Sequence, residues 1–393
     1  MTDLAGRRLV HLASTDVNLV HLLGPLLRAF ADADMEVIGV SAPGPLVVQL
    51  ADMGVRHVPL RHSTRSVSAV DELLAGAELT RLFTSLRPDI VHTHESKTGL
   101  LGRFAARVAR VPGIVNTVHG LSASPEDRLH RKVAAYGLER LAATCSRFEL
   151  VENPEDLALL SRLGVPADHL VPLGGGVDLQ RFQPRRTSVD IARARAALGI
   201  DPSAVVAGTV GRLVWHEGFR DLFATAARMR DVRPEVVFAV VGPLDAAGGD
   251  ALGPGDIAAG TALGNVVFTG DSDDVEDLHP GFDIFVLPSY SESVPQSAME
   301  AAASGLPVVA SDIRGFRRLV DSGGTGLLVP LHDVDALVAA VAELAADPAR
   351  RGTMGARARA KAEAEFDILH VIRTTLDIYR RLPVRRPERA RPG

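Results

Sequence analysis

Ile284-Phe285-Val286-Leu287-Pro288-Ser289-Tyr290-Ser291-Glu292-Ser293-Val294-Pro295-Gln296-Ser297-Ala298-Met299-Glu300-Ala301-Ala302-Ala303-Ser304-Gly305-Leu306-Pro307-Val308-Val309-Ala310 is the stretch that decides the fold. Four apolar residues, Ile284–Leu287, run into a Pro-Ser turn, as a short buried strand does where it ends. The loop that follows carries Glu292, and a small-residue helix eight positions on carries Glu300. The apolar Val308–Ala310 then opens the next strand. If the helix begins near Val294, Glu300 sits about 9 Å along it. The backbone N–H groups at that N-terminus favour an anion such as phosphate. Carboxylates only accept hydrogen bonds, which suits sugar or ribose hydroxyls. The competing reading makes both glutamates solvated helix-surface residues, and the strand–loop–helix–strand context argues against it.

Working outward, short apolar runs alternate with longer amphipathic stretches, the pattern of α/β architecture with parallel sheets. Expected strands in the first half are Leu9–Ala13, Glu36–Val40, His57–Leu60, Ile90–Thr93, Ile114–Val118 and Leu170–Leu173. In the second half they are Val205–Val210, Val236–Val241, Val266–Thr269, Ile284–Leu287, Val308–Ala310 and Gly326–Val329. Helical patterns include Leu19–Ala31, Thr98–Ala109, Leu337–Ala346 and Asp367–Arg381. Phe182–Asp190 lacks periodicity and reads as an interdomain linker. The expected division is therefore a first Rossmann-like domain over 1–183 and a second over 184–366. A returning helix over 367–382 and a disordered Arg- and Pro-rich tail over 383–393 complete it. Doubly wound sheets bind ligands at the carboxyl ends of their strands, so two of them facing a central cleft would place the site there.

A chain of 393 residues exceeds what one core usually supports, which agrees with two domains. The formal net charge of −5 offers no basic excess for nucleic acid. The single cysteine, Cys145, excludes an internal disulfide and a cysteine-rich metal site, and fits a reducing cytosol. No segment approaches the roughly 18 uninterrupted apolar residues of a spanning helix. Met1 to Ser14 lacks the apolar run of a signal peptide. The reading is a cytoplasmic protein, with peripheral contact at the inner face of a membrane left open. Arg128, Arg131, Lys132 and Arg140 could make that contact, and a solvated helix face explains them equally well.

The Glu292–Glu300 segment is similar to the E-x7-E region of retaining GT-B transferases, in particular glycosyltransferase family 4. The resemblance implies that Glu292 contacts donor-sugar hydroxyls and Glu300 binds the nucleotide ribose. It also places the backbone of Ser293, Val294 and Pro295 beside sugar and phosphate. Asp312-Ile313-Arg314-Gly315 and Gly324–Val329 continue the pattern. Gly211-Arg212-Leu213 resembles the family's GRL turn, whose arginine binds the donor diphosphate. Gly174-Gly175-Gly176-Val177-Asp178 resembles the end of the first domain. Pro88–His94 and Asn116–Gly120 resemble the strand ends of the acceptor domain, which puts His94 and His119 on the acceptor side. The terminal helix is expected to cross back onto the first domain. The similarity runs from about Leu9 to Leu382 and is specific for the family, not for a substrate.

One position departs from the pattern. The family carries a lysine five residues beyond the GRL arginine, and Glu217 stands there. The only lysines are Lys97, Lys132 and Lys361, so no neighbour replaces it. A charge pair at about 6 Å and an effective dielectric near 20 is worth roughly 3 kcal/mol, and this exchange reverses its sign. Arg212, Arg220, His216 or a divalent ion on Glu217 are the candidates for compensation.

The resulting expectation is sugar transfer from a nucleoside-diphosphate-sugar to an acceptor hydroxyl, with retention. Arg212 would stabilise the leaving diphosphate and Glu292 orient the sugar; His119, at a strand end, would stand beside the donor sugar or acceptor, or else serve a structural role. The departing phosphate oxygen can take the acceptor's proton, so no cofactor and no resident metal are required. The acceptor is open between a glycan, a lipid-linked glycan and a small molecule. His92, His94 and His119 fall on different strands with no further ligand evident, so they are not read as a metal site. His92 shares a face with His94 and reads as a packed residue. Two rivals stand beside this reading: a catalytically impaired relative or binding partner, supported by Glu217 alone, and a nucleotide-sugar epimerase. Serine-hydrolase chemistry lacks its G-x-S-x-G elbow, and there is no Walker A loop, dinucleotide fingerprint or H-E-x-x-H.

Overall fold

The structure, a computed structural model, describes residues 3–62, 69–121, 123, 128–184, 187–244 and 249–384. It divides into two compact units, Met1–Gly174 with Leu369–Gly393, and Gly175–Ile368. The second unit thus begins nine residues before the division drawn from sequence, because Val177 and Phe182 belong to its core and Val177 bridges to Asp367.

The first unit is built on a parallel sheet of β1 (Arg8–Thr15), β2 (Glu36–Ala42), β3 (Arg56–Pro59), β4 (Ile90–His94), β5 (Gly113–Val118), β6 (Phe148–Val151) and β7 (Leu170–Pro172). Its strand order is β3-β2-β1-β4-β5-β6-β7, which reverses direction between β1 and β4. The terminal helix Ile368–Arg380 packs in this unit: Arg7 Nη1 donates to the Tyr379 carbonyl at 3.1 Å.

The second unit carries β8 (Val205–Val210), β9 (Val236–Val241), β10 (Val266–Gly270), β11 (Ile284–Leu287), β12 (Val308–Ser311) and β13 (Gly326–Val329). Their order, β10-β9-β8-β11-β12-β13, reverses between β8 and β11. A parallel sheet covered by helices buries both faces, so its strands are predominantly apolar, with Thr209, Thr269 and Ser311 toward their carboxyl ends. Along β11 the faces alternate as the strand period requires. Phe285 and Leu287 enter one core cluster, Ile284 and Val286 the other.

All twelve strands expected from the sequence fall on observed ones. The strand missed is β6, because Glu149 sits in its middle and a charge interrupts the apolar run. That carboxylate is fully buried and paired with Arg103 Nη1 at 3.0 Å. Asn116 Nδ2 also donates to it, at 2.7 Å.

Three local expectations change. Leu19–Ala31 is not one helix but a π-turn, Asn18–Leu22, followed by a helix over Gly24–Asp32, with Pro25 in that helix's first turn. The linker ends early, at Thr187, which forms a capping box with Asp190 and starts the helix Ser188–Leu198. The helix bearing Glu300 begins at Gln296, with Pro295 as its N-cap, so Glu300 lies about 6 Å along it rather than about 9 Å. Residues 185 and 186 of the linker, and 385–393 of the tail, lie outside the described residues.

Candidate active site

The switch point of the second sheet gathers most of the expected donor-side residues. Gly211 and Arg212 follow β8, and Pro288 to Glu292 follow β11, its neighbour in the sheet. Crevices outside the carboxyl ends of parallel strands form where the strand order reverses. A tight turn, Trp215–Glu217, presses these two loops together. Gly218 closes it at φ 85°, and a β-carbon there would sit 2.0 Å from the Pro288 carbonyl oxygen. Only glycine meets both demands. The Tyr290 N–H donates to the His216 carbonyl at 2.8 Å, which fastens the same contact from the other side.

Within this turn Glu217 is buried, and its Oε2 accepts from the Ser289 hydroxyl at 2.9 Å. Its Oε1 lies 3.9 Å from Arg212 Nη2. Glu292 shares a hydrogen bond with Glu217, so one of the two carries a proton. Burial first, and then the Glu217 charge, hold the Glu292 carboxyl well above the usual range, which makes Glu292 the protonated partner. Arg212 opposes that shift without cancelling it. The guanidinium is half-exposed and within 3.3 Å of His216 Nε2, and His216 Nδ1 in turn faces Asp250 at 2.7 Å. Arg220 stacks on the Trp215 ring at 4.3 Å, and its charge adds to His216 in holding the Asp250 carboxyl low.

Gly315 holds the loop from behind. A β-carbon there would meet the Glu292 carbonyl oxygen at 2.7 Å, so this glycine lets the next strand's loop close on Glu292. Val294 and Met299 pack where Gly175 has no side chain.

Glu300 forms a separate group. Gln296 Nε2 donates to its Oε1 at 3.1 Å, and burial pushes its carboxyl up to about 7. Arg181, bonded to Glu276 at 2.8 Å, supplies the opposing positive charge. Sequence reading missed Arg181 and Glu276, although Arg181 stands in the turn capped by Asp178, directly after the glycine run.

The histidines occupy the switch point of the first sheet. His11 on β1 is the register partner of His92 on β4, so both project to one face, and His94 follows on that face. His11 Nδ1 lies 2.8 Å from His94 Nε2, and His94 Nδ1 lies 3.0 Å from His119 Nε2. His119 Nδ1 meets Glu152 Oε1 at 2.9 Å. On the other side, His11 Nε2 lies 3.2 Å from the Tyr379 hydroxyl, which is 2.5 Å from His92 Nδ1. His92 Nε2 reaches Thr117 Oγ1 at 2.7 Å. His92 is therefore packed and bonded as expected, whereas His94 is completely buried, with both nitrogens spent on other rings. Burial lowers the pKa of His11 to about 3 and holds His92 and His94 well below the usual value. Burial would lower His119 too, but Glu152 and Glu95 carry it above. His11, Glu152 and Tyr379 were not anticipated, though a histidine inside the apolar run of β1 was a visible signal. His11, His92 and His94 also offer nitrogens within 4.8 Å of one another, the spacing of a ligand set. Each of those rings already uses both nitrogens in the bonds above.

The chain resembles known proteins over most of its length. Residues 204–347 match a family model described as glycosyl transferases group 1, and residues 12–146 one described as glycosyl transferase 4-like. The chain is 31% identical over 343 residues to an Escherichia coli UDP-Gal:alpha-D-GlcNAc-diphosphoundecaprenol alpha-1,3-galactosyltransferase, covering 86% of each protein. It is 31% identical over 312 residues to a D-inositol 3-phosphate glycosyltransferase of Kribbella flavida, covering 74% of this chain and 71% of that one. Among solved structures, Anabaena HepE in complex with UDP and glucose superposes with a TM-score of 0.77 at 20% identity, over 95% of this chain and 99% of that one. A sucrose-phosphate synthase of Thermosynechococcus elongatus gives 0.78 at 22%, with the same coverage.

Proposed function

Because the chain belongs to glycosyltransferase family 4, with the GT-B fold, and transfers a sugar from a nucleotide-sugar donor, we propose that its donor is a UDP-sugar and that transfer retains the anomeric configuration. The observation that carries the site assignment is the meeting of Arg212 with the Glu217–Glu292 pair where the second sheet reverses. Arg212 faces the diphosphate, where negative charge grows as the sugar–phosphate bond breaks. Glu292 orients the sugar hydroxyls, and its protonated state limits the negative charge near the diphosphate. Glu300 accepts from the ribose hydroxyls. The acceptor oxygen bonds to the anomeric carbon as that carbon's bond to the phosphate oxygen breaks. The acceptor's proton passes to the departing phosphate oxygen, so the step needs neither a protein base nor a metal ion.

UDP as carrier is supported by the donor named for the Escherichia coli relative and by the UDP bound in the Anabaena structure. The same relative acts on a diphosphoundecaprenol-linked sugar, and we propose a lipid-diphosphate-linked sugar as the acceptor class here. His119, on the first unit, is the acceptor-side residue that stays partly exposed. Among the described residues no helix is long and apolar enough to cross a membrane. A lipid-linked acceptor would then be met at the surface by the helix Leu129–Ala142. Leu129, Val133, Leu138 and Leu141 are exposed on it, near Arg128, Arg131, Lys132 and Arg140. The experiment is incubation with UDP-sugars and a synthetic sugar-diphosphate-lipid, with the new linkage read by NMR. An α-linked product from an α-linked donor supports the proposal. A β-linked product overturns retention, and product only with water-soluble acceptors overturns the acceptor class.

A further inference from the structure

Glu152, His119, His94, His11, Tyr379, His92 and Thr117 form, among the described residues, one chain of six hydrogen bonds across the carboxyl end of the first sheet. Its direction follows from chemistry at one end. An ionised carboxylate only accepts, so His119 Nδ1 carries hydrogen and donates to Glu152. When His119 is neutral, its Nε2 must then accept from His94 Nδ1–H. His94 Nε2 accepts from His11 Nδ1–H, and His11 Nε2 accepts from the Tyr379 hydroxyl. The Tyr379 oxygen accepts from His92 Nδ1–H, and His92 Nε2 accepts from Thr117. One carboxylate thus sets the tautomer of four rings, with no bond left unmatched.

We propose that Glu152 and Tyr379 are positioning residues acting through His119: their chain is a single titrating unit, in which one proton gained at His119 reverses every bond from His94 to Thr117. With His119 charged, both its nitrogens donate. His94 then accepts at Nδ1 and donates from Nε2, and His11 does the same toward Tyr379. The Tyr379 hydroxyl turns to His92 Nδ1, and His92 Nε2–H donates to Thr117 Oγ1. The proton count balances. Six hydrogens bridge the chain in either state, and the additional proton, from solvent, leaves the Thr117 hydroxyl's own hydrogen outside it. Both states satisfy every buried ring nitrogen, so neither pays the penalty of an unpaired polar atom.

The charged groups facing the chain favour His119 as the ring that takes the proton. Glu152 bonds it, and Glu95, held by Ser14 and Asn18, adds a second negative charge. The other three rings face each other, Phe30 and Tyr379. Arg7 lies on the far side of Tyr379, bound to its carbonyl. The relevance of this unit to transfer rests on the acceptor-side placing of His119; its existence does not.

The test is nitrogen-15 NMR of the histidine rings in the full-length protein between about pH 5 and 9, where histidine titrates. Ring shifts distinguish the two tautomers. In the wild type His92 is expected to change from Nδ1–H to Nε2–H at the pH where His119 gains its charge, although His92 itself stays neutral. In Tyr379→Phe, His11 and His94 still follow His119 and His92 no longer does. In Glu152→Gln the transition of the whole chain moves to lower pH together, by about one unit or more. A wild-type His92 whose tautomer is unchanged across the His119 transition overturns the proposal. So does a His92 that follows equally in Tyr379→Phe. The wild-type spectra decide alone if a variant does not fold, and they require no turnover, so failure of the transferase assignment would not be mistaken for failure here.

Discussion

The Ser289 hydroxyl donates to Glu217 Oε2 at 2.9 Å, which turns the Glu217 side chain inward, onto the loop that carries Glu292. The residue at the family's lysine position is thus part of the wall of the site, bonded to its neighbours rather than extended toward solvent. Two carboxyl groups this close cannot both ionise cheaply, and the proton they share rests on Glu292.

Glu217→Gln should raise stability, because an amide can donate to Glu292 without adding charge. An acid whose folded pKa is raised penalises the fold as pH climbs above its unfolded value, and relief grows over the same range. The gain in Tm, about 2–4 °C, should therefore be larger at alkaline than at acidic pH in thermal melts. Glu217→Lys should increase affinity for a diphosphate in calorimetry. A loss would show that Glu217 has a task of its own.

Burial pushes the Glu300 carboxyl up to about 7, so its ionisation falls near neutral pH. If Glu300 holds the ribose as proposed, its ionised form, acceptor-only and charged, binds the ribose hydroxyls more strongly than the neutral acid. Nucleotide affinity of the wild type relative to Glu300→Gln should rise as pH passes upward through that value. At the alkaline end the difference should be about tenfold or more. The ratio of the two dissociation constants, measured across pH, cancels ionisation of the diphosphate itself. A ratio that stays flat would remove Glu300 from the ribose.

The sequence made the second unit more legible than the first. Strand ends after β8 and β11 carry their chemistry in short, contiguous runs, so Glu292 and Glu300 stood out from the strand–loop–helix pattern, and Arg212 from the resemblance of its turn to the family's. The inward turn of Glu217 could not, because it depends on Ser289, 72 positions away in the chain. In the first unit the histidine chain joins β1, β4, β5 and the terminal helix, and His11 and Tyr379 are 368 positions apart. Register between strands, which local patterns do not encode, decides which rings meet. The missed strand β6 follows the same rule: Glu149 looks like a surface residue until Arg103 arrives from a distant helix.

That buried pair gives a stability prediction. Arg103 binds Glu149 at 3.0 Å and Glu139 at 2.8 Å, with its side chain almost wholly enclosed. Arg103→Met would leave the Glu149 charge uncompensated, at a cost of about 3–5 kcal/mol in denaturant unfolding. Adding Glu149→Gln should recover part of that loss, because the orphaned charge is gone.

The proposed transfer uses no metal ion. Chelation by EDTA should leave donor binding and turnover unchanged, as read by calorimetry and product formation. A loss restored by magnesium would instead assign Glu217 and Glu292 to a cation.

Titration calorimetry of UDP into the wild type and Arg212→Ala decides whether Arg212 and its neighbours form a working donor site. The wild type should bind saturably and the variant lose at least about tenfold in affinity, the scale of a charge-assisted contact. Binding that survives the substitution unchanged, or no binding to well-folded wild type, would contradict it.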